Sequence, residues 1–226
     1  MDPRVHDAHK LMPGRHQELS RLISGCRRCS RLGRYQEQQK LIFPEYHCAP
    51  VPQWGVRRSR LLIVGLAPGL HGAGRTGKGF VGDASGAFLF QTLHRFGYAT
   101  SANPEVSALR KTAITNIVKC LPPSNQPSTQ EKNNCSPFLQ QELELFAPGP
   151  RARSRVLLCL GSEAFYSVQR SMGLQTVRFA HGQQVSLAKN YSLFSSYHPS
   201  RLNVNTGRLT QEMFDAVFAE IRTALN

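Results

Sequence analysis

Two short apolar runs constrain this chain more than anything else in it: Arg60-Leu-Leu-Ile-Val-Gly65 and Val156-Leu-Leu-Cys-Leu-Gly161. Neither alternates with polar residues, and each closes on glycine, the pattern of a strand covered on both faces. The first leads into a Gly/Pro-rich loop, residues 66–83. Residues 84–96 follow, with Ala87, Phe88, Phe90, Leu93 and Phe96 at helical spacing. The second leads directly into a helical pattern over residues 162–172. Residues 111–118 read as another strand, and Val185 with residues 191–194 as a fourth strand region. Further helices are expected around residues 16–23, 134–146 and 210–225. Strands alternating with helices predict an α/β chain: a three-layer α/β/α arrangement on a central, mostly parallel, four-stranded sheet. Residues 1–226 read as a single domain, with residues 1–59 a polar, basic N-terminal segment.

In such sheets, ligands sit beyond the carboxyl ends of the strands. Three motif-rich stretches follow strands directly, at residues 65–83, 116–125 and 197–208, so they are expected to converge on one cleft. The first holds seven glycines before Asp83, which lets the backbone approach a ligand closely. It is not a Walker loop, since Gly-Lys-[Ser/Thr] is absent, and it is not read as a dinucleotide-binding turn. The third, His198-Pro-Ser-Arg-Leu-Asn-Val-Asn-Thr-Gly-Arg-Leu-Thr210, is a dense run of small, polar and basic residues between a strand and a helix.

Lys and Arg number 28 against 14 acidic residues, a formal net charge of +14. That excess suits a polyanion, and the predominance of arginine suits phosphate oxygens, although an unspecialised basic protein fits the charge as well. No apolar stretch approaches the roughly 20 residues needed to cross a bilayer. The opening Met1-Asp2-Pro3-Arg4 shows no signal-peptide core, so the expected location is the cytoplasm, with no membrane partner.

The six cysteines of a cytosolic chain point to metal binding or packing rather than disulfides. Cys26-x2-Cys29 is a local metal clip, and Cys120 and Cys135 are two further thiols. Zinc, an iron–sulfur cluster and free buried thiols all remain open. Cys159 lies among leucines and reads as core; Cys48 stands outside the set.

With these segments in view the chain resembles the uracil-DNA glycosylase superfamily, and within it family 5, or type B. Residues 65–86 are similar to the family's motif GLAPxxHGxxRTGxxFxGDxSG, and residues 198–210 to HPSxxNxxTGRLT. Thr115-Asn-Ile-Val-Lys-Cys120-Leu-Pro-Pro-Ser-Asn-Gln-Pro127 is similar to the superfamily's strand-plus-cysteine motif, and Phe179-Ala-His-Gly182 to a short family segment. The resemblance spans most of residues 26–210. It implies a monomeric, monofunctional repair enzyme of the bacterial or archaeal nucleoid. Such an enzyme flips uracil out of double- or single-stranded DNA and hydrolyses the N-glycosidic bond. It also implies a structural [4Fe–4S] cluster held by Cys26, Cys29, Cys120 and Cys135.

The resemblance further assigns roles. Phe80 stacks on the base, with core packing as the competing reading. His198 donates a hydrogen bond to the uracil oxygen as charge develops, helped by backbone amides near Ala67 and Gly69. Many superfamily members carry a water-activating side chain directly after the first glycine of the first motif. Here Leu66 and Ala67 stand there, so Asp83 and Asn125 take the task, Asp83 being equally readable as a helix N-cap. Asn116 departs from the small residue common in family 5. In family 4 an asparagine here reads the polar edge of uracil, which implies sharper discrimination against other bases. Arg201, Leu202, Asn203 and Arg208 belong to a loop expected on DNA, with Leu202 as a wedge; a solvated loop is the plainer alternative. The departure at residues 66 and 67 keeps open a second function, a DNA-binding module of the same fold without chemistry.

Overall fold

The computed structural model describes residues 14–149 and 151–226; the opening read from Met1 to Arg4 lies outside the described residues. The strands are β1 (Trp54–Gly55), β2 (Leu61–Gly65), β3 (Thr112–Asn116), β4 (Arg155–Leu160), β5 (Gln184–Ala188) and β6 (Tyr191–Ser196). The helices are α1 (Arg15–Ser24), α2 (Ser30–Ile42), α3 (Ala73–Thr76), α4 (Ala84–Arg95), α5 (Thr129–Phe146), α6 (Ser162–Ser171), α7 (Arg201–Asn205) and α8 (Gln211–Leu225).

One six-stranded sheet runs in the order β1-β3-β2-β4-β6-β5. Its centre, β3-β2-β4-β6, is parallel throughout, and these are the four strands expected. The expected sheet was two strands short. Both additions are antiparallel edges: β1 pairs Trp54 with Ile114, and β5 pairs Val185 with Leu193. The fourth strand region is thus a hairpin, and the short, half-polar edges lack the apolar run that marks the centre.

Because successive strand residues face opposite ways, β2 feeds two cores. Leu62 and Val64 join Leu157 and Cys159 under α1, α5 and α6, together with Ile23, Phe138, Leu143 and Phe165. Leu61 and Ile63 join Leu158 and Phe194 under α4 and α8, with Phe90, Phe214 and Phe218. Helices therefore cover both faces, as the unbroken apolar runs required. Cys159 is fully buried, as expected of a core residue. Ala87, read onto the buried stripe of α4, is instead exposed. Among the described residues no helix is long and apolar enough to cross a membrane.

Helix α5 begins five residues before the pattern suggested. Its start is a capping box: the Ser128 side chain accepts from the Glu131 amide, and the Glu131 carboxylate accepts from the Ser128 amide. That box satisfies two backbone donors left free at a helix start. Glu131 also receives two bonds from Arg31 of α2, at 2.8 and 2.7 Å, and this pair holds the carboxyl below its ordinary range. Gln36 of α2 accepts from the Leu121 amide at 3.0 Å. The N-terminal segment is thereby fastened to the loop and helix that follow β3.

Candidate active site

A cavity of about 300 Å³ opens at the carboxyl ends of the central strands. Ala67, Gly69, Phe80 and Asp83 reach it from the loop after β2, Asn116 and Asn125 from the end of β3 and the loop beyond, and His198 from the end of β6. All seven residues singled out for catalysis or base binding therefore line one space. Leu66, Ala73, Ser85 and Ser200 complete the wall.

The geometry depends on missing side chains. A Cβ at Gly65 would lie 2.5 Å from Asn116 Oδ1 and 2.7 Å from the Phe80 ring. Real Cβ atoms do not come so close, so glycine at the end of β2 is what allows Asn116 and the Phe80 ring to share a pocket. Phe80 has a left-handed backbone, φ 58°. That conformation is costly for an aromatic residue and is retained where the surroundings dictate it. Its ring lies 5.8 Å from the His198 ring, tilted by 35°. The ring is buried and borders both the cavity and the core, so the two readings of Phe80 are not exclusive.

The same holds for Asp83. Its Oδ1 accepts from the Gly86 amide at 2.8 Å as the N-cap of α4. Its Oδ2 points the other way: a Cβ at Gly69 would lie 3.5 Å from Asp83 Oδ2 and 3.7 Å from Asn125 Oδ1. One at Gly72 would overlap the carboxylate outright. Two acceptor oxygens thus lie within 4 Å of one spot beside Gly69, in the cavity wall. Ser124 and Asn125, in the short 3-10 turn Pro123–Asn125, also have positive φ, 54° and 56°, and Asn125 stands at the exposed rim.

The backbone beneath two of these residues is held from behind. The Asn116 main-chain carbonyl accepts from Lys119 Nζ at 2.6 Å. That ammonium, fully buried, also bonds Thr115 Oγ1 and forms a 2.6 Å ion pair with Glu142. The His198 carbonyl accepts from Asn203 Nδ2 at 2.8 Å. Asn203, expected on DNA, therefore has its amide engaged in the fold. The imidazole of His198 is packed on most sides; burial lowers its pKa and the nearby Asp83 charge partly opposes this. Leu202 is 73% exposed, Arg201 is exposed, and Arg208 lies over the Tyr197 ring at 4.7 Å. A second cavity of about 230 Å³, bordered by Asn203 and Arg208, shares Leu66 and His198 with the first.

Sequence reading dismissed a dinucleotide turn, although the letters Gly72-x-Gly74-x-x-Gly77 do fit its spacing. The structure supplies the reason for dismissing it. These glycines do not link β2 to a helix directly, and their turn is the short α3, closed by Gly77 at φ 70°.

The family model for the uracil DNA glycosylase superfamily matches residues 52–222. The chain belongs to that superfamily. Among its relatives, a type-5 uracil-DNA glycosylase of Pyrobaculum aerophilum is 41% identical, covering 86% of this chain and 86% of its own. One of Mycobacterium bovis is 40% identical over 91% of this chain and 80% of its own. One of Thermus thermophilus is 38% identical over 88% and 94%.

The cavity has a neighbour. Cys26, Cys29, Cys120 and Cys135 border a small void of about 20 Å³. Burial and the other three thiols push Cys120 up to about 12, and burial also raises Cys135. Two sulfurs accept hydrogen bonds, Cys135 from the Lys119 amide at 3.3 Å and Cys29 from Asn134 at 3.4 Å. Among the described residues no three His, Cys, Asp or Glu side chains gather tightly enough to hold a single metal ion.

Sequence reading missed two supports of the site: Lys119 with Glu142, and Asn203 in its structural role. A lysine beside a cysteine motif carries no sign that it is buried. Asn203 was seen, but an exposed-looking loop hides which way its amide turns.

Proposed function

We infer that this chain is a monofunctional uracil-DNA glycosylase, acting as a monomer in the cytoplasm on uracil-containing single- or double-stranded DNA. The observation that carries the reading is the meeting of seven residues from three separated segments in one cavity of about 300 Å³. In the reaction, an extrahelical uracil enters the cavity and stacks on Phe80. The buried Asn116 amide, which both donates and accepts, reads its polar edge. As the glycosidic bond breaks, negative charge grows on the base and His198 donates to it. Burial favours the neutral imidazole, which can still donate one hydrogen bond. Asp83 Oδ2 and Asn125 Oδ1 orient water toward the cationic sugar. Arg201 and Arg208 meet phosphates, and Leu202, exposed at the rim, fills the vacated stack.

Cys26, Cys29, Cys120 and Cys135 would hold a [4Fe–4S] cluster, which ties the N-terminal segment to the sheet and takes no part in cleavage. The four-thiol donor set and the hydrogen bonds onto two sulfurs suit such a group.

The test is release of free base from a uracil-containing oligonucleotide. Release supports the enzyme reading; binding without release would favour the module without chemistry. Hypoxanthine in the same assay checks Asn116. Wild type is expected to prefer uracil, and Asn116→Ala to cut uracil release by about 5–150-fold, the scale of a lost buried hydrogen bond, and narrow the preference. Equal release of both bases by wild type, unaltered in the variant, would remove Asn116 from base reading.

A further inference from the structure

The geometry points to His181 as the positioning residue that sets the backbone carrying His198, an inference that rests on the glycosylase reading above. The Ser195 amide donates to the Gln183 carbonyl at 3.0 Å, on the side away from β4. The Tyr197 amide, two residues on and facing the same side, meets the His181 ring in place of a backbone carbonyl. Its Nδ1 accepts from the Tyr197 amide at 3.2 Å and lies 3.4 Å from Ser196 Oγ. Its Nε2 lies 3.3 Å from the Met213 carbonyl, at the start of α8. Together these contacts fix one tautomer, bare at Nδ1 and protonated at Nε2. The imidazole also stacks on the Tyr197 ring, 5.0 Å between centroids and 17° between planes.

The segment holding His181 is itself fixed alongside β6. Ser195 Oγ donates to the Ala180 carbonyl at 2.6 Å, and the Gly182 amide to the Ser195 carbonyl at 2.9 Å. One imidazole therefore links three elements, the 179–183 segment, the end of β6 and the start of α8, at the residue before His198. Removing the acceptor frees the 197 peptide to rotate, and the donor nitrogen of His198 moves with it. Small displacements of a catalytic group cost rate steeply.

The two nitrogens can be tested separately, because asparagine presents an oxygen near the Nδ1 position and glutamine a nitrogen near the Nε2 position. Steady-state base release from uracil DNA is compared for wild type, His181→Asn, His181→Gln and His181→Ala, with thermal melting of each. The expected result is kcat within about 3-fold of wild type for Asn and lower by about 10–100-fold for Gln and Ala, with KM unchanged. A merely structural role would make Asn and Gln lose rate together, in step with their loss of Tm, and that result overturns the inference, as does unchanged kcat in all variants. If Ala fails to fold, the Asn and Gln pair still decides. Wild type that releases no base overturns the glycosylase reading and this inference with it; an active wild type with indifferent variants overturns only this one.

Discussion

The cavity at the strand ends and the void between the four cysteines are neighbours built on opposite plans. In the larger, about 300 Å³ in volume, the fold grips backbone or one oxygen and leaves polar side-chain atoms toward open space. Asn116 and His198 are held through their main-chain carbonyls, and Asp83 through Oδ1. In the smaller, about 20 Å³, four thiols border one space, and burial, reinforced by the other three cysteines, raises Cys120. The first arrangement suits a guest that enters and leaves; the second suits a resident group that replaces the thiol protons when it binds. A change in the first should therefore cost rate, and a change in the second should cost stability.

The largest expected effect is at Asp83, where both costs are available and can be separated. Asparagine caps helices about as well as aspartate, so Asp83→Asn keeps the bond from the Gly86 amide. It loses the charge on the oxygen that faces Gly69 and Asn125, where the proposed reaction orients water. Single-turnover base release is expected to fall by about 10²–10⁴-fold with Tm nearly unchanged. A variant within about tenfold of wild type would leave Asp83 as a cap alone. Cys120→Ser is the converse. It is expected to abolish the broad absorbance of an iron–sulfur protein and to lower stability by about 4 kcal/mol or more, roughly 8–16 °C in Tm. Molecules still folded should retain most of their rate per enzyme. A colourless wild type containing zinc would overturn the cluster reading but not the contrast between the two cavities.

How much of this contrast the sequence disclosed follows from where each signal originates. The central strands were legible because both faces are buried, so Leu61–Gly65 and Arg155–Leu160 carry uninterrupted apolar residues. Helix α2 was not, since only Leu32 and Gln36 of its thirteen residues are buried, too little for an apolar stripe to stand out. The early start of α5 was written in Ser128 and Glu131 and went unread. The motif loops announced the seven cavity residues, yet letters cannot say that Asp83 divides its two oxygens between cap and cavity. Nor can they distinguish Asn203 turned inward from Asn203 turned toward DNA. Such assignments depend on side-chain direction, which is set only when distant segments pack together.

The smallest expected effect links the rate-bearing cavity to stability. Burial lowers the pKa of His198, against partial opposition from Asp83, and burial likewise lowers His16 and His181. Between the ordinary imidazole value of 6.5 and each lowered value, the unfolded chain binds protons that the folded chain refuses. Stability rises with pH wherever the unfolded state binds more protons, so it should fall as the solution is acidified below 6.5 and the decline should end below the lowered values. His198→Asn removes one of the three groups. Wild type should therefore lose stability relative to His198→Asn between pH 7.5 and 5, as measured by denaturant melts at matched ionic strength. If the two curves run parallel, His198 titrates alike in both states. The imidazole would then be as solvated as in the open chain, and the cavity would not be the dry, preorganised donor site that anion stabilisation requires.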